Sequence, residues 1–349
     1  MRRMGDASRG LGLLALGIGL GLSGCEARSK APGGSVQPAG SGVTSKAVDS
    51  EPVRIGIAIP STVHAVAWIG VDKGHFEREG IDARVSVMGG SAATMRALIA
   101  DRIDVGIAGG DAVVKANAAG ADLVVIGGLM HRWFHRVIGR RGLTDPKALK
   151  GGKIGLPFLG GPQFMAVRTV MADWGYKEGD VEVLSLGKEF NRMAALERGA
   201  IDATTSQTPP GRLAKLGFRV LADLPASGKP FPYAVLVVRR ERLTSKASEL
   251  TRVLRALREA TAFYRDHKDE SLEVLEARLS GADTDGALAE RYETAGPSLL
   301  EADLAIDRAA FEALRPLLPA DTAKALNLDQ LLDPSLLRAA TAATAGQAE

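Results

Sequence analysis

Short apolar runs alternate with amphipathic stretches between about residues 53 and 238. The run RIGIAIP at residues 54–60 ends in a proline, as a buried strand does where it meets a turn. The run KIGLP at residues 153–157 repeats that pattern. Buried strands that alternate with amphipathic helices predict an α/β fold, in which mainly parallel sheets carry helices on both faces.

An internal repeat divides this region. Met95, Ala97, Leu98, Ile103 and Asp104 each recur 98 residues later in the same order. Both copies continue into a loop, a helix-like stretch and another apolar run. Five identities in one register, with matching flanks, predict two related α/β lobes, at residues 53–139 and 140–234. Two copies alone do not imply a solenoid.

Helical periodicity replaces the alternation from about residue 245. Leu250, Leu254, Leu257, Thr261 and Tyr264 fall on one helical face, and charged residues occupy the others. Two further helices are predicted, around residues 272–279 and 311–318. Because such helices are not stable alone, we expect residues 235–338 to return to the first lobe and cover it. We expect residues 339–349 to form a frayed tail.

The first 25 residues have the pattern of an export signal. Three arginines precede an apolar run at residues 11–22, which is too short to span a bilayer. The string that ends at Cys25 (LSGC) resembles a bacterial lipobox, which implies cleavage after residue 24 and a diacylglyceryl thioether on Cys25. The alternative is an ordinary secretory leader with a chance cysteine. Residues 25–52 are rich in Gly, Ser, Pro and Ala, which predicts a flexible tether.

Composition narrows the function classes. The chain is 46% hydrophobic, 24% charged and only 5% aromatic, and its net charge is +3. Three arginines and one aspartate of the leader account for two of those charges, so the exported part is nearly neutral and no nucleic-acid partner is expected. A single cysteine excludes a disulfide framework and a cysteine-rich metal site. No GxGxxG fingerprint occurs after residue 52 and no P-loop occurs in the chain, and we predict no cofactor.

Five segments, in order and normally spaced, resemble nitrate/sulfonate/taurine-type substrate-binding proteins of ABC transporters. VDKGHFEREGID at residues 71–82 is similar to the family's A-x-D-x-G-F/Y-F-x-x-E-G-L segment, with valine in place of the usual small first residue. The others are MGGSAA (88–93), IDVGIA (103–108), LKGGKIG (149–155) and NLDQLLDP (327–334). The resemblance spans about residues 53–338.

The resemblance implies a type II periplasmic-binding-protein fold, with two lobes, a ligand cleft between them and C-terminal helices. The two crossover strands would fall near residues 136–140 and 233–238. The implied partners are a small-molecule ligand, an ABC permease and its ATPase, at the periplasmic face of a bacterial membrane that holds the lipid anchor. We expect a monomer.

Candidate ligand-binding residues follow from a general rule, because ligands of open α/β sheets bind beyond the carboxyl ends of the strands. In the first lobe these positions are Ser61, Thr62, His64, Trp68, Gly90, Ser91, Gly109, Gly110 and Asp111. In the second lobe they are Gly160, Gly161, Gln163, Gln207 and Thr208. No residue is predicted to be catalytic or to bind metal.

Each candidate has a simpler interpretation. The glycines could serve only the conformation of strand–helix turns, Ser91 could be only a helix N-cap, and Trp68 could belong to the lobe core. The string HRWFHR at residues 131–136 also leaves three interpretations open. His131 and His135 could share a helical face and bind metal, line the cleft, or lie on an ordinary surface.

The geometry proposed for the cleft places Ser91 opposite residues 160–163. Both segments begin helices, whose free amides and positive dipole ends favour a small polar or anionic ligand. Trp68 and Phe158 would flank an organic tail. Two other function classes remain: an exported solute-sensing module, and an enzyme similar to the thiamine-pyrimidine synthases. The cysteine-rich stretch of those synthases is missing from this sequence.

Overall fold

The computed structural model describes residues 51–279 and 288–345. The predicted leader, Cys25 and the tether up to residue 50 lie outside the described residues. Within the described ranges, no helix combines the length and apolar composition needed to cross a bilayer.

Two five-stranded sheets form the framework of the two lobes. The first has the order β2-β1-β3-β10-β4 and contains β1 (Val53–Ile57), β2 (Ala83–Val87), β3 (Val105–Ala108), β4 (Leu123–Arg132) and β10 (Pro230–Arg239). The second has the order β7-β6-β8-β5-β9 and contains β5 (Arg136–Gly139), β6 (Lys153–Leu156), β7 (Glu182–Ser185), β8 (Ala203–Ser206) and β9 (Arg219–Asp223).

The sheets have the same topology. In each, four strands are mutually parallel, and the strand at the fourth position of the order is antiparallel to them: β10 in the first sheet and β5 in the second. Each antiparallel strand is the first one reached after the chain crosses from the other lobe. The prediction of two related, mainly parallel α/β lobes is therefore confirmed.

The crossovers fall slightly earlier in the chain than predicted. The chain leaves the first sheet after β4 and enters the second at β5, so it crosses at residues 133–135, and it returns at residues 224–229. The predicted segments at 136–140 and 233–238 lie mostly in β5 and β10. Their apolar residues are strand positions inside a sheet, which is why pattern alone could not separate them from the connections.

Helices cover both sheets. The first lobe carries α1 (Ala65–Asp72), α2 (His75–Arg78), α3 (Ser91–Ile99) and α4 (Gly110–Ala118), and the second carries α5 (Gly161–Asp173), α6 (Glu189–Glu197) and α7 (Pro210–Lys215). Single 3-10 turns occur at Pro146–Leu149, Pro225–Ser227, Pro297–Leu299 and Arg315–Leu317. α3 and α5 begin where strands β2 and β6 give way to turns, so their N-termini project toward the space between the sheets.

The C-terminal helices return to the first lobe, as expected. They are α8 (Arg242–Ser245), α9 (Ala247–Asp266), α10 (Lys268–Arg278), α11 (Leu288–Ala295), α12 (Arg308–Glu312), α13 (Ala320–Ala325), α14 (Leu328–Leu331) and α15 (Ser335–Ala345). The predicted apolar face of α9 is buried in full, and α9 packs against α1, α2 and α15.

Two details of this region differ from the sequence expectations. The helix expected over residues 311–318 is divided into α12 and a 3-10 turn, because Pro316 has no amide hydrogen and its ring does not fit a helix interior. Phe311 and Leu314 are nevertheless fully buried. The tail expected to fray after Ala339 is helical through Ala345.

Candidate functional site

A cavity of about 700 Å³ lies between the two sheets, where residues of both lobes meet. Its first-lobe lining comes from the segment between β1 and α1, from α3 and α4 with the turns beside them, and from Tyr233 on β10. Its second-lobe lining is the segment at residues 157–163. The predicted ligand-binding residues that line it are His64, Gly90, Ser91, Gly109, Asp111, Gly160, Gly161 and Gln163. Phe158, predicted to flank an organic tail, also lines it.

Six predicted residues lie outside this lining: Ser61, Thr62, Trp68, Gly110, Gln207 and Thr208. Trp68 is 6% exposed and belongs to the first-lobe core, so the structure favours the simpler interpretation of that residue. Gly110 packs against Pro232 and Phe311. The backbone amide of Thr208 donates to the Ser206 hydroxyl at 3.0 Å. The structure therefore brings together the glycine-rich turns but not the side chains that follow β8.

Ser91 does not cap a helix. The N-cap of α3 is Gly90, at φ +125°, and Ser91 is the first helical residue. The Ser91 hydroxyl instead accepts a hydrogen bond from the Gly109 amide at 3.1 Å. The interpretation of Ser91 as only an N-cap is therefore wrong, because its side chain joins the turn after β2 to the turn after β3.

The glycine-rich turns of the two lobes approach each other closely. A Cβ atom added to Gly161 would lie 3.7 Å from the Ser91 Oγ, and one added to Gly109 would lie 2.9 Å from the Pro162 Cγ. Gly161 also has a φ of +72°, which disfavours any side chain. These glycines therefore serve the contact between the lobes as well as the turns, and Ser91 faces Gly161 across the cleft.

Asp111 is the one buried carboxylate in the lining. Its side chain is only 1% exposed. Lys115, one helical turn later, donates a hydrogen bond to its Oδ2 at 3.0 Å. Its Oδ1 has no hydrogen-bond partner among the described residues. An unpaired carboxylate oxygen in a buried position carries a desolvation penalty, which makes Asp111 the strongest acceptor at this cavity.

His64 is the second buried polar group of the lining. Its Nδ1 lies 2.8 Å from the Ser61 hydroxyl, while its Nε2 has no partner among the described residues. Burial lowers the pKa of His64 to about 4, so the ring is neutral at physiological pH. Ser61 therefore acts on the cavity through His64, whose ring orientation and tautomer it helps to fix.

Gln163 is held by the second lobe. Its Oε1 accepts a hydrogen bond from the Thr205 hydroxyl, and its side chain is buried. Nearby, the buried Arg192 donates to the Thr204 hydroxyl at 3.1 Å and to the carbonyls of Gly187 and Thr205. Burial lowers the pKa of Arg192. Its guanidinium is thus used to hold the turns of the second lobe together.

The two histidines of the HRWFHR string are buried, so the surface interpretation is wrong. His131 lies at the end of β4, and its Nε2 is 2.8 Å from the Ala305 carbonyl. His135 lies in the first crossover, with its Nε2 3.2 Å from the Gln207 Nε2 and its ring stacked on Tyr233. Among the described residues, no group of three or more potential metal ligands comes together.

Several lining residues were missed by the sequence analysis. They include Met95, Arg96 and Ile99 on α3, Ala112, Lys115 and Ala116 on α4, and Tyr233 on β10. The spacing of Asp111 and Lys115, which places both on one helical face, was a signal that could have identified the ion pair. Tyr233 gave no such signal, because it is an ordinary position of an apolar strand.

Comparison with known proteins agrees with this architecture. Residues 61–271 match the family described as NMT1/THI5 like. A protein of Brucella abortus (strain 2308), named as a binding protein, is 26% identical over 231 residues, which cover 65% of this chain and 71% of that protein.

Two solved structures establish the likeness in three dimensions. The alkanesulfonate-binding protein SsuA from Xanthomonas axonopodis pv. citri, bound to MOPS, has a TM-score of 0.63 and 22% identity over 83% of this chain and 98% of its own. A Candida albicans protein described as having the generic periplasmic binding protein fold has a TM-score of 0.65 and 14% identity, over 82% of this chain and 97% of its own. The chain has this fold, and it belongs to the NMT1/THI5-like family.

Proposed function

We propose that this protein captures a small polar organic solute between its lobes and delivers it to an ABC importer. The observation that carries the proposal is the cavity between the lobes, lined by glycine-rich turns from both, in a chain of the NMT1/THI5-like family. The alkanesulfonate-binding protein, which shares the fold, supports a small organic solute as the class of ligand.

The architecture suits reversible capture. Each lobe contributes only one wall of the cavity, so neither lobe buries a ligand alone, and closure about the two crossovers completes the site. A ligand that contacts both walls stabilises the closed arrangement and shifts the population toward it. A permease that docks on the rims of both lobes would then distinguish loaded from unloaded protein by the distance between those rims.

The proposal includes export and a lipid anchor. The leader would direct the chain out of the cytoplasm, Cys25 would carry the lipid, and residues 26–52 would tether the folded lobes near the membrane. An anchored monomer stays close to its permease without a transmembrane helix of its own. We assign no catalytic residue, metal or cofactor to the site.

Mass spectrometry of small molecules extracted from the purified protein tests the proposal. We expect one solute at close to stoichiometric amount, which also raises the melting temperature when it is added back to stripped protein. Extracts that contain no retained solute, together with a melting temperature that no solute of the growth medium raises, would contradict solute capture.

A further inference from the structure

Two buried polar atoms at the cavity have no hydrogen-bond partner among the described residues: Asp111 Oδ1 and His64 Nε2. Both residues line the cavity, and both are at least 98% buried. They follow β3 and β1, which are neighbouring strands, so they reach the cavity from the same edge of the first sheet. Buried polar groups are rarely left unpaired unless they serve a ligand or water.

One of these atoms lies near the contact between the lobes. A Cβ atom added to Gly109 would lie 2.8 Å from Asp111 Oδ1 and 2.9 Å from the Pro162 Cγ. The carboxylate oxygen and the second-lobe proline therefore both lie next to Gly109. Movement of the second lobe away from the first would open the cavity beside Asp111 to a ligand.

The charges at this point do not suit an anion. The Lys115 ammonium is already paired with the other Asp111 oxygen, and His64 is neutral. Asp111 lies in the first turn of α4, where its charge offsets the positive end of that helix dipole. A sulfonate or nitrate placed there would face a carboxylate oxygen across a poorly solvated gap, and like charges at short distance repel strongly in such surroundings.

The complementary group is a hydrogen-bond donor. We propose that the solute carries an N–H group that donates to Asp111 Oδ1, on a small apolar body that contacts the aromatic and aliphatic lining, including Phe158 and Tyr233. The part of the ligand that contacts Asp111 Oδ1 is thus a neutral or cationic nitrogen group, not a sulfonate or nitrate oxygen. This inference rests on the proposed function and narrows its substrate class.

Four probes that share one phenyl ring and differ in head group distinguish a hydrogen-bond donor from a neutral group without a donor and from an anion. Benzamide and benzamidine offer N–H donors at charges of zero and plus one, methyl benzoate is neutral without a donor, and benzenesulfonate is an anion. Calorimetric titration of the purified protein should show binding of the two donors that is at least about tenfold tighter than binding of the other two.

Variants test whether Asp111 carries the preference. Asp111→Asn removes the carboxylate, so it should lower the affinity for benzamidine and benzamide by about ten- to a hundredfold. It should also lessen the discrimination against benzenesulfonate. Asp269→Asn is the matched control, since Asp269 is also the second residue of its helix but is exposed on α10. It should leave all four affinities unchanged. Thermal melts show whether each variant is folded.

The outcomes separate this inference from the proposed function. Benzenesulfonate binding as tightly as benzamide would overturn the donor subsite and leave solute capture intact. Unchanged benzamidine affinity in folded Asp111→Asn, or no binding of any probe up to about 10 mM, would also overturn it. If, in addition, no solute is retained in extracts, the proposed function fails as well.

Discussion

Gly161 is the position where an added side chain should separate ligand binding from folding. It begins α5 in the second lobe, and a Cβ atom there would lie 3.7 Å from the Ser91 Oγ of the first lobe. The indole of Gly161→Trp would either occupy the cavity or press on Ser91 of the first lobe. We therefore expect the variant to hold the lobes apart and to prevent completion of the site.

The cost to folding can be worked out from the backbone. Gly161 has a φ of +72°, and a side chain in that region costs roughly 1–2 kcal/mol, which lowers the melting temperature by about 2–4 °C for each kcal/mol. Gly175, just after the other end of α5, has a φ of +77°, and a Cβ atom there would meet nothing within 4 Å. Gly175→Trp is thus the matched control, with the same backbone cost and no obstruction of the cleft.

Calorimetry with the solute extracted from the wild-type protein is the assay. Gly161→Trp and Ser91→Trp, which obstruct the cleft from opposite lobes, should lose at least about tenfold in affinity, or about 1.4 kcal/mol. Gly175→Trp should bind like the wild type while melting at a similarly lowered temperature. Near-native affinity in folded Gly161→Trp and Ser91→Trp would show that the ligand binds elsewhere.

Three further predictions use other features. Cys25→Ser should abolish fatty-acid labelling and leave an unprocessed precursor, and unchanged processing and labelling would refute the lipid anchor. Saturating ligand should reduce the radius of gyration measured by small-angle X-ray scattering, and an unchanged radius would argue against closure. Because burial lowers the pKa of His64 from 6.5 to about 4, the unfolded chain takes up a proton that the folded protein excludes, so stability should fall as the pH drops through this interval. The loss is about 3 kcal/mol; urea unfolding of His64→Gln should show a flatter pH dependence, and parallel curves would contradict it.

The repeat could be recognised in the sequence because its residues have the same structural role in both lobes. Asp104 accepts a hydrogen bond from the Arg54 backbone amide at 2.9 Å, and Asp202 accepts one from the Lys153 backbone amide at the same distance. Each carboxylate thereby ties the start of one strand to the start of its neighbour. Local patterns of this kind repeat with the fold, so the lobes could be predicted from them.

The cleft was only partly predictable, because it depends on which distant segments approach each other. The rule that places ligands at carboxyl strand ends identified Ser91, Gly109 and Gly161, which meet in the structure. The rule could not show that Trp68 turns into the core or that Tyr233, on a strand from the return crossover, reaches the cavity. Burial of a side chain is decided by packing between segments that are distant in the sequence, and the local sequence pattern does not contain it.

The same contact between lobes links closure to the ligand. Pro162 packs against Gly109 next to Asp111, whose Oδ1 is buried and has no partner among the described residues. An unpaired buried acceptor costs about 1–3 kcal/mol, so closure without a donor is disfavoured by that amount. A ligand that donates to this oxygen removes the penalty, which by itself changes the ratio of closed to open protein by about 5- to 150-fold. The carboxylate would thus make closure conditional on the correct ligand, which is what an importer needs if it recognises its binding protein by shape.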